Sequence, residues 1–334
     1  MTETRTYVAR GVAHLPVPPV TEPVRVSFIL VPRFTMLAFS AAIEAMRIAN
    51  QLTGQELFLW QTYSETGQPV SCSNGVPMIV DGPLPENPQG LVLVCSGVEP
   101  ETHTSDTLAD WLRGQWRRGR TVGGLCTGAY TLARAGILKG RRFTLHWENI
   151  SGFIESYPDL TPTRQVFCID ERIVTCAGGV APADFMLKLI HDRFGARLSQ
   201  EVMNMALLTQ RRDAADEQTT SVAARLGTRN EKLIKAVGFL EARVEEPFDL
   251  DACADHIGVS RRQIERLFNR YLGVTPVRYM NDLRLQHGRA LLAETDMNVT
   301  EVAVACGYAS ASHFSKSFRK KYGVSPYRFS HFGS

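Results

Sequence analysis

The chain has 334 residues, of which 44% are hydrophobic and 21% charged, and a formal net charge of +3. That length exceeds the usual single domain, and the composition is that of a globular protein rather than a fibrous or low-complexity one. No apolar run approaches the roughly 18 to 20 residues of a membrane span, so no membrane partner is expected.

The first 23 residues carry Arg5 and Arg10 and then Pro16, Pro18, Pro19 and Pro23. They lack the apolar block of a signal peptide and read as a disordered extension on a cytoplasmic protein. From Val24 to about Gln210, strand-like runs alternate with helical patterns. Val26–Val31 precedes a helix with Met36, Phe39, Ile43 and Met46 at three- and four-residue spacing. Further strands are expected at 57–63, 76–80, 91–95, 121–125, 143–146 and 173–176, with helices at 108–118, 127–135 and 183–194. Such alternation predicts an α/β domain whose parallel sheet is covered on both faces. Residues 211–228 are polar, have no sustained apolar stripe, and read as a linker.

After Arg229 strand signals stop, and a repeat appears at an offset of 50 residues. Ser260 matches Ser310, Ile264 matches Phe314, Phe268 matches Phe318, and Gly273-Val-Thr-Pro276 matches Gly323-Val-Ser-Pro326. Each copy predicts a short helix, a glycine turn and a second helix, 250–256 then 260–271 and 299–306 then 310–322. Ser260 suits an N-cap. Ile264, Leu267 and Phe268 form an inward stripe, which turns Arg261, Arg262, Glu265 and Arg266 outward. In the second copy Phe314 and Phe318 face inward, and Ser310, Ser312, His313, Lys316, Arg319 and Lys321 complete the candidate DNA surface. A helix-turn-helix sets such N-terminal outward positions on base edges, with later basic residues on phosphates. The charge agrees: residues 229–334 hold 16 Lys and Arg against 12 Asp and Glu, whereas residues 1–228 hold 21 against 22.

Residues 229–334, and above all the stretch from Gly307 to Phe329, resemble the AraC/XylS-type DNA-binding domain. The resemblance implies seven helices in two helix-turn-helix units joined by one long helix near 276–293. It places the base-contacting sites on Arg262, Glu265, Arg266, Ser312, His313 and Lys316.

Val122-Gly-Gly-Leu-Cys126-Thr-Gly-Ala129 sets a cysteine between a strand and a helix, flanked by glycines. That spacing suits a strained elbow that exposes one side chain at a sheet edge, where the helix start would lower a thiol pKa. It equally suits a buried structural cysteine. The seven cysteines include no C-x-x-C pair, so neither a disulfide framework nor a zinc site is suggested; no other metal and no cofactor is expected.

The segments G-L-C-T-G-A-Y-T-L-A-R-A-G-I-L, H-W-E-N and T-C-A-G-G-V-A resemble the class I glutamine amidotransferase-like superfamily in its PfpI-like branch. With both halves in this order the chain is similar to GlxA-type regulators, which implies a flavodoxin-like domain over 24–210 followed by an all-α domain over 229–334. Enzymatic relatives carry His after the elbow cysteine and an acidic partner after the first strand; here Thr127 and Ala38 stand there. A cysteine without base or orienting acid is a poor nucleophile, so no catalytic residue is assigned. The resemblance implies instead a ligand pocket at Phe34, Gly97, Cys126, Thr127, His146 and Trp147, taking an amino acid or betaine-like zwitterion. The expected partners are double-stranded DNA, a small-molecule effector, a second copy in a homodimer and, for an activator, RNA polymerase. A Cys-dependent hydrolase tethered to DNA is the alternative, and a DNA-architectural protein whose α/β half only dimerises is a third reading.

Overall fold

Alternate residues of the first strand, β1 (Val24–Leu30), split between two faces of a sheet, as the two-residue period of a strand requires. Val26, Phe28 and Leu30 enter a core with α1 (Met36–Thr53), α6 (Ala181–Phe194) and α7 (Ala196–Met205), whereas Ser27 and Ile29 are buried on the other side. In the computed structural model, the structure describes residues 8, 11–218, 222, 226, 228 and 230–332.

The sheet also contains β2 (Phe58–Ser64), β5 (Gly82–Pro83), β6 (Leu91–Cys95), β7 (Val122–Leu125), β8 (Phe167–Asp170) and β9 (Ile173–Cys176). Its order is β5-β2-β1-β6-β7-β9-β8. Every pairing is parallel except β8 with β9. The connection that closes this hairpin passes through Glu171 in the left-handed region. On the face opposite α1, α3 (Asp106–Arg117) and α4 (Ala129–Arg134) pack together against β7; two short helices, α2 (Pro100–His103) and α5 (Ile150–Ser156), precede α3 and β8 in the chain. The sheet is thus mostly parallel and flavodoxin-like, with helices on both faces. Its strand order reverses between β1 and β6, and in such sheets ligands bind beyond the carboxyl ends at that reversal.

Four segments depart from the expectations. The stretch 76–80 pairs only over β4 (Pro77–Met78), in a two-stranded antiparallel ribbon with β3 (Val70–Ser71), and does not join the main sheet. Residues 143–146 form no strand; they carry a single bridge, Thr144 to Thr163, and the Thr144 N–H donates to the Thr175 hydroxyl. The part of the N-terminal extension from residue 11 onward is packed rather than disordered. Leu15 is buried and its N–H donates to the Leu52 carbonyl, while the Gln55 amide pairs with Val17 and Val20. Leu15, Val17 and Val20, spaced among the prolines, give that segment an apolar strip to lay on α1.

Residues 211–218, expected as linker, are also docked. Arg212 grips the buried Asp184 carboxylate with its backbone N–H and guanidinium, at 2.7–2.9 Å, and Glu217 bridges to Gln165. Residues 1–7, 9 and 10 of the extension, and 219–221, 223–225 and 227 of the linker, lie outside the described residues.

Contacts separate a first compact unit, ending at Gln218, from a second that holds the residues after it; the second also takes Ser151–Ser156. The second unit has seven helices among its described residues after 230: α8 (Glu231–Glu241), α9 (Leu250–Ile257), α10 (Arg261–Leu272), α11 (Pro276–Glu294), α12 (Val299–Ala305), α13 (Ala311–Tyr322) and α14 (Pro326–Phe332). Helix α11 is the spine. Met280 enters a cluster with Leu233, Val237, Ile264 and Phe268, and Leu285, Leu291 and Leu292 enter another with Val302, Phe314 and Phe318. Among the described residues no helix is long and apolar enough to cross a membrane.

Candidate functional site

In the helical unit, local chemistry starts each reading helix. The Ser260 hydroxyl accepts the Gln263 N–H, and the Gln263 side chain accepts the Ser260 N–H, a reciprocal cap that satisfies two otherwise orphan donors. Ser310 caps α13 through the His313 N–H. Gly307 turns between α12 and α13 with φ +67°, and a Cβ there would lie 2.8 Å from both the Arg284 guanidinium and the Glu245 carbonyl. Only glycine fits, because buried Arg284 fills that space to donate to the Val244 and Glu246 carbonyls.

The burial of the two reading helices is nearly superposable. Ile264 and Phe268 are buried in α10, Phe314 and Phe318 in α13, and Arg262, Arg266, Ser312 and Lys316 are exposed at matching positions. Arg262, Arg266, Lys316 and Arg319 form no salt bridge among the described residues. Arg261 is partly engaged, reaching Glu265 at 3.4 Å and Asp251 at 3.6 Å. The His313 ring stands edge-on to Tyr308. Lys321 departs from its expected phosphate role: its Nζ is 2.6 Å from the Asp282 carboxylate and 3.1 Å from the Asp282 carbonyl, which ties α13 to α11.

In the sheet unit, Gly97, Cys126 and Thr127 all lie beyond the carboxyl ends of β6 and β7. Cys126 has φ +59°, a strained conformation for a residue with a Cβ. The elbow therefore exists, but the side chain is only 7% exposed. Gly178 crowds it, since a Cβ there would stand 2.9 Å from the sulfur. The Thr35 hydroxyl donates to the sulfur at 3.4 Å. Burial pushes the thiol pKa up, against the lowering expected from the helix start; the Thr35 and Thr127 hydrogen bonds oppose that shift without overcoming it.

The Thr127 hydroxyl donates to the Gly97 carbonyl at 2.7 Å, and Phe34 and Gly97 form a bridge. The Gly97 N–H joins no backbone hydrogen bond among the described residues. The Phe34 ring is fully buried, edge-on to Phe39 in the core, so the structure withdraws it as an aromatic wall for a ligand. Trp147 is 53% exposed, and Leu37, Val98 and Val180 are further exposed apolar residues in loops or helix starts that follow β1, β6 and β9. The His146 N–H donates to the Cys126 carbonyl at 3.2 Å. Its imidazole lies 5.6 Å from the Trp147 ring and 4.0 Å from Glu148, and burial holds its pKa below the ordinary histidine value. Ala38 is buried in the first turn of α1.

Sequence reasoning missed Thr35, Gly178 and Gln218. Gly178 lies in the T-C-A-G-G-V-A segment and Thr35 just before a helical pattern, but no spacing signal marks either as a neighbour of Cys126.

A PfpI-like sheet followed by paired helix-turn-helix units with basic outer faces defines a DNA-binding transcription regulator. Residues 24–192 match the DJ-1/PfpI family and residues 253–331 a helix-turn-helix domain. The chain is 42% identical to the HTH-type transcriptional regulator CdhR of Pseudomonas aeruginosa, over 90% of this chain and 89% of that one. It is 39% identical to GbdR of the same species (91% and 83%) and 35% identical to GlxA of Rhizobium meliloti (90% and 94%). The chain belongs to this family of AraC-type transcriptional regulators with an N-terminal DJ-1/PfpI domain. Its role is regulation of transcription rather than enzymatic turnover.

Proposed function

We propose that α10 and α13 enter successive major grooves on one DNA face, as a ligand at the sheet edge sets the output. The observation that carries the DNA reading is the shared burial pattern of the two helices, which turns equivalent polar positions outward. Arg262, Arg266, Ser312 and Lys316 then address bases, with Arg261, Glu265, Ser310, His313 and Arg319 beside them. A dimer presents two such units to paired half-sites in the cytoplasm, and the output is activation through RNA polymerase.

The effector we infer is a small zwitterion. The Gly97 N–H, which joins no backbone hydrogen bond among the described residues, suits its carboxylate, and the exposed Trp147 face suits a cationic or quaternary ammonium group. The crowded, protonated thiol of Cys126 favours a receptor over the hydrolase reading.

The test is thermal unfolding of the full-length protein with glycine betaine, L-carnitine, L-arginine and putrescine. All four tryptophans, Trp60, Trp111, Trp116 and Trp147, precede Gln218, so their fluorescence follows the sheet unit. A zwitterion that binds only the native state raises the midpoint. Stabilisation by putrescine alone, or by none of the four, overturns the zwitterion reading.

A further inference from the structure

We propose that Gln218 is a clasp through which the sheet edge controls the segment leading to the DNA-binding helices. This rests on the reading of that edge as an effector site. Gln218 is the last residue of the sheet unit.

Its side chain uses both ends of the amide. Oε1 accepts the Trp147 N–H at 2.8 Å. Nε2 lies 2.8 Å from the Leu145 carbonyl, 2.9 Å from the Thr144 hydroxyl and 3.1 Å from the Gln165 carbonyl. Trp147 N–H can only donate and the two carbonyls can only accept, so the amide has one permitted orientation. Its backbone is held as well: Gln218 N–H donates to the Arg164 carbonyl, and Val166 N–H to the Asp216 carbonyl, both at 2.9 Å.

The route to the candidate pocket is short. His146 N–H is bonded to the Cys126 carbonyl, and the next N–H in the chain, that of Trp147, is bonded to Gln218. Two consecutive donors thus tie the His146–Trp147 loop to the elbow on one side and to the tether on the other. A ligand that touches the Trp147 face and favours one loop position biases the clasp by its differential affinity for the held and released states. Glutamine alone among common side chains supplies this donor–acceptor pair at this length. Asparagine is one methylene short, and a glutamate carboxylate would face two carbonyl oxygens.

Hydrogen–deuterium exchange of the full-length protein tests this, comparing wild type with Gln218→Ala and Gln218→Asn. Without ligand, Gln218→Ala should speed exchange about tenfold across both 143–149 and 211–218 and leave β1 as in wild type. Acceleration confined to 211–218 overturns the clasp. If alanine also loosens β1, Gln218→Asn decides: 143–149 must exchange faster with β1 unchanged, and wild-type rates there overturn the proposal. In a second arm, saturating glycine betaine should change exchange in both segments of wild type but only in 143–149 of Gln218→Ala. An equal change of 211–218 in both proteins removes Gln218 from the route. No change at 143–149 in wild type counts against the zwitterion reading instead, and the ligand-free comparison still judges the clasp.

Discussion

Lys321 on the second reading helix is held 2.6 Å from Asp282 on the connecting helix, so a lysine in a basic run serves the protein's own architecture. Its side chain is only one-quarter exposed. Lys321→Ala should therefore leave the salt dependence of DNA affinity near that of wild type and cost about 0–1 kcal/mol of stability. Arg319, exposed and without a salt bridge among the described residues, is the better candidate for a phosphate contact. Arg319→Ala should shallow the slope of log affinity against log salt by about one unit. Fluorescence anisotropy across a salt series separates them, and a shallower slope for Lys321→Ala would return that residue to the DNA surface.

Cys126 should behave as an inert thiol. It is nearly enclosed, and burial favours its protonated form, as it does more strongly for Cys95 and Cys176 nearby in the sheet. Alkylation by iodoacetamide at neutral pH, mapped by peptide mass, should be about a hundredfold slower in the folded protein than in urea. The same burial sets a pH dependence. These thiols ionise in the unfolded chain before they can do so in the native one, so unfolding releases protons and stability falls as pH rises through and above the ordinary thiol range. Cys126→Ser should flatten part of that decline in the urea midpoint and leave effector stabilisation intact. Rapid alkylation of folded Cys126 would contradict this picture.

What the sequence made legible were local rules repeated in register. The caps Ser260 and Ser310, the turn glycines and the apolar pairs Ile264–Phe268 and Phe314–Phe318 all act within one or two helical turns, so a single chain displays them. Strand and helix alternation gave the sheet class for the same reason. Long-range side-chain chemistry stayed hidden. Gln218 finds Thr144 and Leu145 more than seventy positions away, and no composition rule separates it from a solvated linker glutamine. Phe34 was legible as an aromatic in the first loop, but not as a ring turned inward onto Phe39. The Cys126 elbow was legible from its glycines, and its burial was not, because that depends on Gly178 and Thr35 from other loops.

The Asp184–Arg212 pair yields a contrast between two substitutions. Asp184 is buried and receives three hydrogen bonds from Arg212, whose own side chain is partly exposed. Burial pushes the carboxyl up and Arg212 pulls it down, with burial the larger effect. Removing the arginine strands the carboxylate, so Arg212→Ala should cost about 3 kcal/mol in the sheet unit. Asp184→Asn removes the buried charge, keeps the shape, and returns the guanidinium toward solvent, so its cost should be about 1 kcal/mol. Urea unfolding followed by tryptophan fluorescence measures both. A larger loss for Asp184→Asn than for Arg212→Ala would show that the ion pair itself, rather than avoidance of a lone buried carboxylate, holds the segment down.

Arg262 offers the sharpest test of the docking geometry. It lies four residues before Arg266, one helical turn away on the exposed side of α10, and neither forms a salt bridge among the described residues. Lys316 occupies the position in α13 that Arg266 holds in α10. If Arg262 forks onto a guanine, Arg262→Ala should cost about 1–3 kcal/mol on the cognate duplex and relax specificity at one base pair. Its loss on a scrambled duplex should be smaller, because only the charge contribution is shared. A cognate site selected from a randomised library supplies the duplex, and anisotropy at fixed salt supplies the affinities. Equal losses on both duplexes would reassign Arg262 to the phosphates. Unchanged affinity for Arg262→Ala and Lys316→Ala alike would mean that neither helix enters a groove by the face their burial leaves exposed.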